Sequence, residues 1–202
     1  MTSRAVVLLT GPSGSGKSRL GRDSGLPMLS LDDFYKDGDN PTAPRHPELG
    51  IVDWDDPRSW DADAAVAALR TICEQGRAEV PVYDIAHDRA ASTQTFDCGG
   101  SPVFIAEGIF AAELVASCKA SGMLADAIVV RRRMWKNFLR RLVRDLREGR
   151  KSPTTLVRRG WLLMRREPEI VARQVALGAR ACDAGQTREA LRRAARRMAR
   201  HS

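Results

Sequence analysis

Cysteine is scarce and scattered. The four in 202 residues, Cys73, Cys98, Cys118 and Cys182, form no CxxC pair and have no histidine beside them. That spacing excludes a zinc ribbon or a disulfide-stapled fold and suits reduced structural thiols in a cytoplasmic protein. Histidine is scarcer still, and His46, His87 and His201 lie too far apart to suggest a metal site. No apolar run approaches the roughly 18 residues a membrane span needs. Met1-Thr2-Ser3-Arg4 leads straight into an apolar strand, which leaves no room for a signal peptide. Internal repeats and low-complexity segments are missing too.

What is present is ordinary in amount and uneven in place. A hydrophobic share of 43% and a charged share of 29% fit one soluble domain with a real core, spanning 1–202. The net charge of +8 comes mainly from arginine. Before residue 100 the charges are mixed, with acidic clusters at Asp32-Asp33, Asp37-Asp39 and Asp53-Asp55-Asp56; after residue 130 arginine dominates. Such asymmetry suits nucleic acid or a phosphate-rich small ligand.

The most specific motif is Gly11-Pro12-Ser13-Gly14-Ser15-Gly16-Lys17-Ser18, set directly after the apolar run Ala5–Leu9. It reads G-x-x-x-x-G-K-[ST], between a buried strand and a helix. Glycines there let the backbone curl so that successive N–H groups face phosphate oxygens. Lys17 reaches the terminal phosphates and the Ser18 hydroxyl holds Mg²⁺. The bland alternative, a Gly/Ser turn, does not explain the strand in front.

Along the chain, strands are expected at 4–10, 26–31, 80–83, 93–98, 103–106 and 127–130, and helices from 17 to about 25, at 61–75 and at 111–119. Residues 36–57, rich in Pro, Gly and Asp, read as a long ordered loop. Beyond Trp135 the pattern is helical over 135–148, 153–166, 167–181 and 186–200, with no further strand. Strands alternating with helices imply a mainly parallel α/β sheet covered on both faces.

Four segments fall at the carboxyl ends of these strands, where open α/β sheets place their ligands. In Ser30–Tyr35, Asp32 or Asp33 suits a base that accepts a hydroxyl proton; an Asp pair also suits a helix N-cap. In Val52–Pro57, carboxylates beside Trp54 suit sugar hydroxyls and the face of a base, or an acidic turn before a helix. In Pro81–Asp84, with His87 beyond, Tyr83 offers a stacking face and His87 a hydrogen bond. In Phe104–Gly108, Glu107 ends a buried strand, where a carboxylate needs a partner.

GPSGSGKS (11–18), LDDFYKD (31–37), VDWDDP (52–57), PVYD (81–84), AEGIF (106–110) and RRLVRD (140–145) together resemble the uridine kinase family of P-loop nucleoside kinases. They occur in family order over about residues 4–151. The resemblance implies a three-layer P-loop NTPase fold with an arginine-rich helical lid at about 140–160 and a helical C-terminal extension at about 167–202. It implies transfer of a phosphoryl group from ATP or GTP, with Mg²⁺, to the 5′-hydroxyl of a ribonucleoside, uridine or cytidine. Carried over by position, Gly11, Ser13, Gly14, Ser15, Gly16, Lys17 and Ser18 hold the nucleotide, with Arg140 and Arg150. Asp32 is the base, and Lys17, Arg141 and Arg144 act on the transferring phosphoryl group. Asp33, Tyr35, Trp54, Asp55, Tyr83 and His87 face the acceptor, and Ser18 and Glu107 attend the metal. Uridine kinases commonly form homo-oligomers.

The chain departs from the family pattern in places. Tyr83 and His87 stand one residue closer than usual, Arg131-Arg132-Arg133 replaces acidic residues, and Asn137 stands where a lid arginine is common. The C-terminal strand and a glutamine expected with it have no counterpart in the sequence pattern. Nicotinamide riboside, pantothenate and phosphoribulose kinases share the P-loop and an Asp-Asp-Phe-like segment. The carboxylate-Trp-carboxylate element at 53–55 favours a riboside over pantothenate. A nucleic-acid-binding role for the arginine-rich half is opposed by the lack of aromatics among the late arginines.

Overall fold

The computed structural model describes residues 4–12, 14–47, 50–131 and 168–199. The helices expected at 135–148 and 153–166, and the arginine lid at 140–160, lie outside the described residues.

The fold is built on β1 (Ala5–Thr10), six residues without one exposed position. Its side chains alternate between two cores. Val6 and Leu8 enter one cluster, while Val7 and Leu9 enter the other. An unbroken apolar strand is what a parallel sheet covered on both faces demands. Each aliphatic side chain buried there contributes about 1.5–3 kcal/mol.

Around β1 run β2 (Met28–Ser30), β5 (Val103–Glu107), β6 (Leu124–Val130) and β7 (Arg180–Cys182), in the order β2-β5-β1-β6-β7. Every pairing in this sheet is parallel. One face is covered by Leu20 of α1 (Lys17–Asp23) and by Ala190, Leu191 and Ala194 of α5 (Ala184–Ala199). The other packs on α2 (Ala62–Gln75) and α3 (Val115–Ala120) through Ala65, Leu69, Ile72, Val115 and Cys118. Asp61 caps α2 by accepting from the Ala64 N–H at 2.9 Å, and Gly76, at φ 85°, ends it. A helix whose described part covers 168–176, α4, lies on this second face through Val171. The three-layer α/β architecture read from the sequence is therefore the one observed.

Two expectations change. The strands read at 80–83 and 93–98 are longer and pair with each other, as β3 (Arg77–Asp84) and β4 (Arg89–Asp97), in a separate antiparallel hairpin. The helix expected over 167–181 stops early. Gly178 takes a left-handed φ of 103°, and the chain resumes as β7, with Cys182 opposite Val130. The C-terminal strand that the sequence pattern did not reveal is thus present. Three residues are too few to show a period of two.

Candidate active site

The carboxyl ends of β1, β2 and β5, which are parallel neighbours, lie along one edge of the sheet, the candidate cleft. After β1 the chain turns through Gly11, Gly14 and Gly16 with φ of 143°, 82° and 87°. A Cβ on Gly11 would lie 3.0 Å from the Val130 carbonyl oxygen and 3.1 Å from Ser15 Oγ, so this turn needs the smallest residue. Ser13 lies outside the described residues. Ser15 is fully buried and its hydroxyl has no partner. Lys17 is buried at the start of α1, with Nζ 3.9 Å from Glu107 Oε2.

Glu107 ends β5. Its Oε2 is buried without a hydrogen bond. Burial pushes the Glu107 carboxyl above its ordinary range, and the Lys17 charge, with the Ser18 side chain, only partly opposes this. A buried oxygen left in that state lacks a partner in the protein alone.

Asp32 follows β2 at the head of a 3₁₀ turn, Asp32–Phe34. Its Oδ1 accepts from the Ile109 N–H at 3.4 Å. The residue as a whole is exposed, yet protein crowds its carboxylate. That desolvation raises its pKa, opposed chiefly by the Lys17 charge. Asp33 is committed elsewhere: its Oδ1 accepts from the Tyr83 N–H at 3.2 Å and braces the hairpin. Leu31, not an aspartate, occupies the N-cap of this turn. Of the two acids, Asp32 is the one left facing Lys17.

Beyond Asp33, the residues around the hairpin form an aromatic cluster. Tyr35 meets Trp54, Tyr83 and Phe110 with ring centroids 5.5, 5.9 and 6.0 Å apart. Trp54 and Tyr83 are 6.3 Å apart. The Tyr35 hydroxyl donates to the Trp54 carbonyl at 3.3 Å, and the Tyr83 hydroxyl to the Lys36 carbonyl at 3.1 Å. Burial, with the charges of Asp32 and Asp55, holds the Tyr35 phenol well above its usual range. Desolvation first, then Asp88 and Asp37, pushes Tyr83 up to about 12. Asp55 is exposed beside these rings. Asp56 takes the structural role open to this acidic run. It caps the 3₁₀ turn Pro57–Ser59 and grips the Arg58 guanidinium at 2.7 Å.

His87 sits on the β3–β4 turn, its Nδ1 2.6 Å from Asp84 Oδ2. That turn is latched to the loop that follows Tyr35. Gly38 donates to the Asp88 carbonyl at 2.7 Å, and Ala90 to Asp37 Oδ1 at 2.9 Å. Arg140, Arg141, Arg144 and Arg150 lie outside the described residues. Among the described residues, no three His, Cys, Asp or Glu side chains converge as a metal-holding group. All four cysteines are free and buried.

Among the neighbours of the cleft, Trp60 carries no sequence signal. Trp60 donates Nε1–H to the Leu31 carbonyl at 2.7 Å and stacks near Phe110, centroids 6.0 Å apart, flooring the segment that bears Asp32. Gly108 passes so close that a Cβ would lie 2.9 Å from Leu31 Cβ. Only Phe110 and Gly108, within AEGIF, were visible as part of a motif.

No protein-family model matches the chain. Uridine kinases of Staphylococcus aureus strains JH9 and Newman are each 30% identical to it over 165 residues, 78% of this chain and 76% of the relative. Among solved structures, a protein described as a fructose transport system kinase, from Silicibacter sp. TM1040, superposes with a TM-score of 0.57. Its identity is 22%, over 85% of this chain and 86% of that chain. The YGR205w protein superposes with a TM-score of 0.51 at 18% identity, over 91% of this chain and 87% of the other. Both likenesses bear out the fold.

Proposed function

Because the chain belongs to the uridine kinase family of P-loop kinases, we propose that it transfers the terminal phosphoryl group of ATP to the 5′-hydroxyl of a ribonucleoside, uridine or cytidine. Phosphotransfer is the activity class that its relatives share. The observation that carries the finer reading is the placing of Asp32 across the cleft from Lys17, with Asp33 tied away to the hairpin.

In this reading the backbone of 11–18 and Lys17 bind the nucleotide phosphates, and Lys17 draws charge off the transferring group. Asp32 accepts the proton of the 5′-hydroxyl as its oxygen bonds to phosphorus. The bond from that phosphorus to the bridging oxygen breaks, and ADP leaves. Arg140, Arg141, Arg144 and Arg150 donate to the phosphates as paired, permanently charged forks. Trp54 and Tyr83 offer ring faces to the nucleobase, and Asp55 accepts from ribose hydroxyls. His87, held by Asp84, stands at the rim of this acceptor side.

The residues fit Mg²⁺. The unpartnered Glu107 Oε2 and the Ser18 hydroxyl are hard oxygen donors at the foot of the phosphate loop. Ser18 and Glu107 would hold it together with nucleotide oxygens, and it supplies charge neutralisation on the phosphates when bound.

The test is a panel of uridine, cytidine, adenosine, guanosine, nicotinamide riboside and pantothenate with ATP or GTP and Mg²⁺, read by nucleoside diphosphate release. Release with uridine or cytidine well above the no-acceptor rate supports the proposal. Release with pantothenate alone, or with none of the panel, overturns it.

A further inference from the structure

Among the described residues, Ile109 is the backbone group that donates to the Asp32 carboxylate, through its N–H at 3.4 Å. Its carbonyl is held unusually firmly. The Thr10 hydroxyl donates to it at 3.1 Å, and Gln174 Nε2 at 3.0 Å, so both lone pairs are occupied. Both donors are inside the protein, Thr10 at 0% and Gln174 at 5% exposure. They come from different elements: Thr10 ends β1, and Gln174 lies on α4. The Ile109 carbonyl and N–H belong to adjoining rigid peptide planes sharing one Cα. Pinning the first leaves the second few ways to move.

Gln174 is poorly suited to a merely structural place. Its Oε1 is buried with no partner, and a buried polar atom in that state destabilises the fold. Leucine would fill the space without that penalty, and Thr10 alone would still satisfy the Ile109 carbonyl. What leucine lacks is the second grip on this turn. The neighbouring Arg173 ties the same helix to the 3₁₀ helix Ala111–Leu114 that follows this turn, 2.6 Å from Glu113. In sequence, α4 follows the segment bearing Arg140, Arg141, Arg144 and Arg150.

The geometry points to Gln174 as a positioning residue: with Thr10 it fixes the Ile109 peptide so that its N–H aims the Asp32 carboxylate at the acceptor hydroxyl. This rests on the reading of Asp32 as the base. It adds that α4 sets the aim of that base from behind.

The test joins amide exchange with kinetics on the full chain. By NMR, Gln174→Leu raises exchange of the Ile109 amide about tenfold, the worth of one hydrogen bond, and leaves β1 and β5 amides unchanged. The thermal midpoint does not fall. With ATP, Mg²⁺ and uridine, kcat falls about tenfold while KM for ATP stays within twofold. Thr10→Val behaves alike, and Thr10→Ser, which keeps the donor, restores the wild-type rate. In an Asp32→Asn background Gln174→Leu causes no further loss, because it acts through Asp32. Unchanged Ile109 exchange, or an equal further loss in that background, overturns the positioning role and leaves the base in place. Near-normal turnover of Asp32→Asn by itself overturns the base, and the positioning role with it. Should Gln174→Leu fail to fold, the Thr10 pair and the exchange measurement carry the same decision.

Discussion

Replacing Gly108 by alanine tests the packing that sets Asp32 in place. The added Cβ would lie 2.9 Å from Leu31 Cβ and 3.0 Å from Asp32 Oδ1. Carbon atoms in ordinary contact stand about 3.5–4.0 Å apart, so the β5 turn and the Asp32 segment must separate by about 0.5–1 Å. They have little room to do so. Leu31 is 1% exposed, and its carbonyl already accepts Trp60 Nε1–H at 2.7 Å. Overpacking of this kind costs about 1–3 kcal/mol of stability. A shift of up to about 1 Å in a reacting group costs as much as about a hundredfold in rate. The expected outcome is a ten- to hundredfold fall in kcat, with KM for ATP within threefold because Lys17 and the phosphate-loop glycines are untouched. Urea denaturation gives the stability loss, and coupled ADP release gives the rates. Wild-type kcat with an unchanged denaturation midpoint would refute the reasoning, since it would mean that the two segments do not bear on each other.

Asp32→Asn should cut turnover about a hundred- to ten-thousandfold while an ATP analogue still binds in calorimetry; turnover near wild type removes Asp32 as the base. The same variant bears on pH. The ordinary carboxyl value is 3.8 and the folded one is raised by desolvation. The native state therefore keeps a proton that the unfolded chain has released, and stability falls as pH climbs through that window. Asparagine removes this dependence, so the midpoint at pH 7 should rise relative to wild type; a fall at neutral pH contradicts the assignment. Burial pushes the Cys73 thiol up to about 12 and those of Cys98 and Cys118 to about 11. A thiol reagent at pH 8 should find no rapid sites in the native protein and four after unfolding; a rapidly labelled native thiol contradicts the packing. Trp60→Phe deletes the hydrogen bond to Leu31 beneath the acceptor segment and should cost about 1–3 kcal/mol in urea; a change below about 0.5 kcal/mol would exclude that role.

How much of this was legible depended on how long each signal ran. The six buried residues of β1 and the glycines after them announced both the sheet and the phosphate loop, because periodicity and left-handed turns both leave marks in composition. β7 was hidden: its three residues follow an alanine- and arginine-rich stretch that reads as helix until Gly178 breaks it. The hairpin was half seen. The β4 positions 89–95 are exposed, so no alternation of apolar and polar residues betrays the pairing with β3. In the cleft, residue chemistry alone offered Asp32 and Asp33 as equals, and the family resemblance set Asp32 ahead. Tertiary structure also sets them apart, by turning Asp33 to the Tyr83 N–H. Thr10, Trp60 and Gln174 act through single hydrogen bonds to backbone carbonyls far away in the chain. No local pattern encodes such a bond.

The central claim is that the cleft delivers a phosphoryl group to the primary hydroxyl of a ribonucleoside. The proton-coupled phosphorus NMR spectrum of uridine incubated with the enzyme, ATP and Mg²⁺ reads this directly. Phosphate on the 5′ carbon, which carries two hydrogens, gives a triplet; on the 2′ or 3′ carbon, which carries one, it gives a doublet. A new triplet among the monophosphate-ester signals, missing with Asp32→Asn, is the expected result. A monophosphate-ester doublet in its place, or inorganic phosphate as the only new signal besides those of ADP, would contradict this assignment.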